Sequence, residues 1–332
     1  MKKPRIAALL AAVLAAAVLL SGCGAKDGHI KIGEVTRSVF YAPQYVALEK
    51  GFFKDEGLDV ELQTTPGGDK TMTALLSGQI NVALVGAETS IYVYQQGAED
   101  PVIDFAGLTQ TDGTFLVARD SSGEFDWSQL KESTFLGQRK GGMPQMAGEF
   151  TLKKHGIDPH QDLNLIQNID FANITAAFAS GTGEYVQLFE PQASIFEKEG
   201  KGRVVASFGT ESGKLPYTVF MAKQSYIKDN NADIQKFTNA LQKAQTWVQE
   251  HSPEEIAQTI APYFKDTDLD IITSSVKRYK EQGTYAQSPA ITEEQWTNLQ
   301  SIMESAGELK EKVDMKTLVD PAFAEKAAEN GK

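Results

Sequence analysis

The chain has 332 residues, of which 41% are apolar, 23% charged and 9% aromatic. That balance is too apolar for wholesale disorder, and the length suits two compact units. Its 32 Lys and Arg face 44 Asp and Glu, a formal charge of −12, which repels phosphate backbones and sets nucleic-acid binding aside. The single cysteine, Cys23, excludes an intrachain disulfide, a Cys-based zinc site and an iron–sulfur cluster.

The chain opens Met-Lys-Lys-Pro-Arg and runs into fifteen unbroken apolar residues, 6–20. A membrane-spanning helix needs roughly 20. Fifteen behind a basic start matches the core of a secretory signal. The run ends Leu20-Ser21-Gly22-Cys23, which resembles the bacterial lipobox, where the cysteine is acylated and the chain is cut before it. The expectation is a signal peptide at 1–22, lipidation of Cys23, a polar tether over 23–28, and an extracytoplasmic protein lipid-anchored to the bacterial cell membrane. Several acyl chains, at roughly 0.8 kcal/mol per buried methylene, hold where one does not.

From residue 30 strands and helices alternate. Residues 30–35 read as a first strand, followed by a loop over 36–41. Pro43 suits the first turn of the next helix, and Gly51 suits its end. Residues 58–62 alternate with the period of a strand. Gly67-Gly68-Asp69 precedes Met72, Leu75 and Leu76 on one helix face, with Asp69 as the expected N-cap. Residues 81–85 form a compact buried strand ending at Gly86, and a helix covers 88–96. Such an order implies a parallel sheet with helices on both faces. Ligands bind such sheets beyond the carboxyl ends of the strands, so the loops 38–41, 67–69 and 86–89 should share one rim.

Residues 102–110 and 114–119 read as two further strands. A second series starts near Trp127. It has a strand at 133–136, a helix opened by Gly141-Gly142-Met143-Pro144, and strands at 163–167, 185–188 and 203–208. Glu190-Pro191 turns the middle one into a helix. Residues 217–222 return to strand. The remainder is helical: Ile234, Phe237, Leu241, Ala244, Trp247 and Val248 recur every three to four residues. Ser252 with Glu255 and Thr292 with Gln295 fit capping boxes.

The segments Ala47-Leu48-Glu49-Lys50-Gly51-Phe52-Phe53-Lys54-Asp55-Glu56-Gly57-Leu58-Asp59-Val60, Gly67-Gly68-Asp69, and Ala74-Leu75-Leu76-Ser77-Gly78-Gln79-Ile80-Asn81-Val82-Ala83, with Glu190-Pro191 later, resemble the substrate-binding lipoproteins of ABC importers. The group is the SsuA/THI5-like (NMT1-like) family for sulfonates, nitrate, taurine and thiamine precursors. The resemblance covers nearly the whole mature chain. It implies an α/β, two-lobed periplasmic-binding-protein-like fold of type II, with parallel-type sheets flanked by helices and a ligand cleft between the lobes. Residues 29–119 and 214–332 would form lobe I and 120–213 lobe II, hinged near Arg119 and Gly213. The implied partners are a small-molecule ligand, the ABC permease and ATPase subunits, and the membrane through the lipid anchor. The protein is expected to be a monomer and to need no cofactor. A lipid-anchored sensor or adhesion module of the same fold is the alternative.

Chemistry is expected to be absent. Asp266, Asp268 and Asp270 open like a calcium loop, but Ile271 and Lys277 stand where glycine and glutamate are needed. The histidines carry no metal spacing. The cytosolic enzymes of the THI5 branch carry a cysteine-rich motif, and acylation of Cys23 leaves this chain no thiol. The candidate shell comprises Ser38, Phe40, Tyr41, Gly68, Asp69, Gly86, Glu88, Thr89, Gln110, Arg139, Gly141, Gly142, Met143 and Glu190. Arg139 and the helix start at Gly141-Gly142 suit an anion. Glu88 and Glu190 suit an amine or ring N–H, and Phe40 and Tyr41 suit a planar ligand. The sequence leaves these two ligand classes open.

Replacing Cys23 with Ala is expected to release the protein from the membrane fraction of cells. A variant as firmly bound as wild type would favour an uncleaved helix.

Overall fold

The computed structural model describes residues 28–120, 123–170 and 172–330; the signal, the lipobox and Cys23 lie outside them. Strands β1 (His29–Glu34), β2 (Asp59–Thr64) and β3 (Val82–Gly86) lie parallel in the order β2-β1-β3. They are joined by helices α1 (Ala42–Glu49) and α2 (Gly68–Leu76). Pro43 sits in the first turn of α1 as its spacing predicts. Helix α3 (Glu88–Gln95) leads to β4 (Val102–Thr109), and the chain then crosses to a second sheet. There it forms β5 (Thr114–Ala118), β6 (Thr134–Leu136), helix α4 (Met143–Lys154), β7 (Asn164–Ile166), β8 (Tyr185–Phe189), helix α5 (Gln192–Lys198) and β9 (Arg203–Ser207). It crosses back into β10 (Thr218–Lys223) and ends in helices that include α6 (Asn231–Glu250), α7 (Leu269–Gln282) and α8 (Glu293–Ser305).

The two sheets repeat one plan. Their orders are β2-β1-β3-β10-β4 and β7-β6-β8-β5-β9. In each, the fourth strand arrives from the other end of the crossing and runs antiparallel to both neighbours. The sheets are therefore mixed. Strand β5 corrects the expected boundary at residue 119: it pairs with β8 and β9, so the first crossing is at 110–113. The sequence hides this because every residue of β5 is buried. A strand apolar on both faces must be central, but it carries no mark of which sheet it joins. Asp69 is also corrected. Helix α2 begins at Gly68 behind Gly67, whose φ of 102° a side chain resists, and Asp69 falls in the first turn.

Helix α6 shows why the C-terminal helices close on the first sheet. Ile234, Phe237, Leu241, Ala244 and Val248 are buried along one stripe, and the Phe237 ring meets Phe220 at 4.9 Å and Phe53 at 4.8 Å. Trp247 is only partly buried, stacked on His251 at 3.8 Å beneath the Lys50 ammonium. Both expected capping boxes are present, on Ser252 and Thr292.

The two crossings run side by side. Leu215 N–H donates to the Gln110 carbonyl at 3.0 Å and Tyr217 N–H to the Thr109 carbonyl at 3.1 Å. Asp112 fixes the start of β5 by accepting from the Thr114 backbone and hydroxyl. Beside them Arg278 of α7 reaches into the second lobe, pairing with Glu190 and, at 2.5 Å, with Glu197. Glu190 is fully buried, so removing its cation strands a charge away from water. Arg278→Ala is expected to lower the unfolding free energy by about 3 kcal/mol in urea titration; a loss within error would remove this pair from the forces joining the lobes.

Candidate functional site

The loops after parallel strands of both sheets open on one cavity of about 470 Å³ between the lobes. From the first lobe come Ser38, Phe40 and Tyr41 after β1, Gly67, Gly68 and Asp69 after β2, and Gly86, Glu88 and Thr89 after β3. From the second come Gln138, Arg139, Lys140, Gly141, Gly142, Met143 and Pro144 after β6, and Phe189 at the end of β8. Tyr217 and Thr218 enter from the second crossing. The convergence follows from topology: parallel strands bring their carboxyl ends to one rim, and the lobes face each other rim to rim.

Most of the wall is aromatic or aliphatic. Phe40 is the hub, with ring centroids of Tyr41, Phe189, Tyr217 and Tyr279 within 5.6 Å. Gly113 leaves room for it, because a Cβ there would meet the Phe40 ring at 2.4 Å. Met72, Met143, Leu76, Val93 and Tyr92 continue the apolar lining. Ser38 caps the short turn into α1, and its hydroxyl donates across the lobes to the Glu190 carbonyl at 3.2 Å. Thr89 turns its hydroxyl back to the Gly86 carbonyl at 2.7 Å.

One acid faces this wall. Glu88 begins α3 and is 5% exposed. Its Oε1 accepts the Met143 N–H of the opposite lobe at 3.2 Å. Its Oε2 is buried with no hydrogen-bond partner. Burial pushes its carboxyl up to about 7, with the hydrogen bonds opposing. Burial above all holds the Tyr41, Tyr92 and Tyr217 phenols well above their ordinary range, with nearby carboxylates adding to it: Glu34 and Glu88 at Tyr41, Glu88 and Glu308 at Tyr92, Asp112 and Glu88 at Tyr217. Gly86 admits the carboxylate, since a Cβ there would sit 2.1 Å from Oε2.

The cations stand at the mouth. Arg139 donates to Asp69 across the lobes at 3.2 Å, and both side chains are about half exposed. Two of the amides that would receive an anion at the start of α4 are occupied: Met143 N–H by Glu88 and Gly141 N–H by the Gln145 side chain at 3.0 Å.

Two expected residues lie elsewhere. Glu190 is enclosed by Arg278 and by the Ser194 amide and hydroxyl, and it does not line the cavity. Gln110 donates to the Gly283 carbonyl and accepts from Gln295 in the hinge. The lining residues that the sequence reading passed over are chiefly Tyr92, Gln138, Phe189 and Tyr217. Tyr92 follows Glu88 by four positions, so one helix face presents both; that spacing was a usable signal. Tyr217 arrives only through the second crossing and carries none. Among the described residues no cluster of three or more His, Cys, Asp or Glu could hold a metal, and no helix is long and apolar enough to cross a membrane.

Comparison with known proteins places this architecture. The sequence profile described as the NMT1-like family matches residues 24–262. The Bacillus subtilis protein YtlA, named as a binding protein, is 63% identical over 297 residues, covering 90% of this chain and 89% of its own. The ligand-binding component of an ABC-type import system from Staphylococcus aureus superposes with a TM-score of 0.72 at 16% identity, over 90% of this chain and 98% of that one. A desulfurization enzyme superposes with a TM-score of 0.65 at 15% identity, over 92% and 99%. The fold is that of periplasmic binding proteins. Because it also serves an enzyme, function has to be argued from the site.

The raised Glu88 carboxyl makes a stability prediction. Below pH 4.5, folded and unfolded chains both hold its proton. Between 4.5 and about 7 the folded chain holds it and the unfolded chain releases it, so stability falls as pH rises and the full cost applies above 7. Glu88→Gln is expected to raise the melting temperature more at pH 8 than at pH 5, by up to roughly 3 kcal/mol of unfolding free energy. Equal shifts at both pH values would place the proton elsewhere.

Proposed function

The chain belongs to the NMT1-like family, and from that premise we propose that it is the extracytoplasmic solute-binding lipoprotein of an ABC importer, taking up a small organic solute that bears an amine or a protonated ring nitrogen. The observation that carries the ligand class is the buried, unpartnered Oε2 of Glu88, a residue that lines a cavity walled by aromatic rings. An unsatisfied buried carboxylate oxygen is costly, and a donor from the ligand removes that cost. Phe40, Tyr41, Phe189 and Tyr217 offer faces and edges to a flat or apolar body. A positive group among such rings is held further by their π faces.

Size supports the same reading. A cavity of about 470 Å³ falls within the range of roughly 300–1,000 Å³ that encloses organic ligands, and it is far larger than nitrate. The thiamine-precursor pyrimidines of the family suit it better than its small anions. Ser38, Gly68, Asp69, Thr89, Arg139, Gly141 and Gly142 complete the shell at the rim. No nucleophile with an adjacent base stands in this lining, which favours capture and release over turnover. The lipobox at Cys23 supplies the anchor, and the lobes close over the ligand about 110–113 and 213–217. Ligand contacts made by both lobes exist only in the closed form, and such differential contact shifts the population.

Thermal unfolding with a panel of aminopyrimidines, aliphatic amines, alkanesulfonates and nitrate tests the reading. A nitrogen base at 100 times its dissociation constant is expected to raise unfolding free energy by about 2.7 kcal/mol, with compaction in solution scattering. Glu88→Gln should weaken it about ten- to a hundredfold, the range of a charged hydrogen bond. Stabilisation by sulfonates or nitrate alone would overturn the ligand class. Steady conversion of the bound ligand would overturn the carrier role. A panel with no stabiliser would favour a sensor or adhesion role.

A further inference from the structure

Glu88 does more than offer one free oxygen. We propose that its carboxylate is a built-in anion that occupies the anion position at the start of α4 and thereby sets the charge class of the ligand. The inference deepens the proposed function, because it assigns to one side chain both the attraction of a base and the exclusion of an acid.

Three observations meet at this point. Helix α4 runs twelve residues, Met143–Lys154, with no acidic residue in its first turn and no side-chain cap from Gly142. The Gln145 side chain caps only the Gly141 N–H, at 3.0 Å, and no charge of the helix's own first turn answers the positive end. It is answered from the opposite lobe, where Glu88 Oε1 accepts the Met143 N–H at 3.2 Å. The second oxygen of the same carboxyl is buried against Gly86 without a partner. One oxygen thus satisfies a helix amide that an external sulfonate or carboxylate would otherwise use, while the other is left for a donor.

Place and shape support this as specificity rather than plain packing. Glu88 belongs to the first lobe, and the amide it occupies belongs to the second. Gly86 has no side chain where one would strike Oε2, so the local backbone is shaped around the acid. A helix N-terminus attracts anions through its free N–H groups and its dipole together. Filling it with a tethered carboxylate removes the donor and adds a repelling charge. Vacating it should restore an anion site in a cavity whose mouth already holds Arg139 and Lys140.

Two substitutions separate vacating the position from neutralising it. Glu88→Ala empties the position and frees the Met143 amide. Glu88→Gln removes the charge but keeps an oxygen able to accept from that amide. Butanesulfonate binding is measured by calorimetry at pH 8, where the Glu88 carboxyl is ionised, for wild type and both variants, beside aminopyrimidine binding to wild type. Glu88→Ala is expected to bind butanesulfonate about tenfold or more tighter than wild type, and Glu88→Gln to gain clearly less. No gain in a folded Glu88→Ala, checked by circular dichroism and melting, would overturn the inference. Equal gains in both variants would overturn it too, since charge removal alone would suffice. Wild type binding butanesulfonate as tightly as Glu88→Ala would also overturn it. A wild type that binds no nitrogen base, beside a Glu88→Ala that gains sulfonate binding, would sustain this inference and remove only the base as ligand.

Discussion

A carboxylate held out of water at the seam of two lobes governs the rest of this architecture. Desolvation alone would keep Glu88 neutral, and its carboxyl is indeed pushed up to about 7. What compensates is its own backbone amide together with one at the start of a helix on the other lobe, and the dipole behind that second amide. Neither lobe alone provides that environment. The first lobe supplies the acid, the glycine gap beneath it and the phenols around it; the second supplies the positive helix end and the lid. The cost of the unpartnered oxygen remains, and in the proposed function that residual cost would give a nitrogen donor its advantage over water.

The lobes are held in register by groups outside the cavity. The paired crossings at 109–114 and 213–218 exchange backbone hydrogen bonds. Tyr279 of α7 accepts from the Glu190 amide at 3.0 Å and donates to the Gly113 carbonyl at 2.9 Å, tying the C-terminal helices to the hinge. Arg278 on the same helix neutralises Glu190. Phe40 packs against this assembly from the cavity side. In the proposed carrier a ligand that pressed on Phe40 or Tyr217 would therefore act on the crossings through contact rather than through a distant network.

Much of this was readable in the residues. Alternating strands and helices gave both rims, and the glycine-rich turns after β2 and β6 marked where backbone approaches the cleft. The failures have physical causes. Glu88 and Glu190 look alike in sequence, each at a helix start after a strand. They part because Glu190 meets Arg278, 88 positions later on a C-terminal helix, a pairing with no local signature. Gln110, expected near the hinge and in the shell, stands at the crossing but outside the cavity lining, because β4 ends at Thr109 and its side chain turns toward Gly283 and Gln295. Strand β5 was given to the wrong lobe because complete burial erases the alternation that distinguishes faces. Tyr217 could not be foreseen, since the second crossing brings it into the cavity from a segment that reads simply as strand.

Across the cavity itself the lobes are held lightly. The Asp69–Arg139 pair at the mouth is about half exposed on both sides, and such pairs contribute about 0–1 kcal/mol. The Ser38 hydroxyl adds a hydrogen bond of about 1 kcal/mol and the Met143 amide, on a carboxylate, one of about 1.5–3 kcal/mol. Contacts of this size would bias the proposed two-state hinge without locking it, because a nearly complete shift takes about 5.5 kcal/mol of preference between states. A micromolar ligand brings about 8 kcal/mol in total, enough to supply the difference if most of its contacts need both lobes. The same reasoning explains why the strongest interlobe charge pair, Glu190 with Arg278, lies beside the hinge and not in the cleft. Near the axis it holds the lobes together while moving little, whereas in the cleft it would resist opening and release.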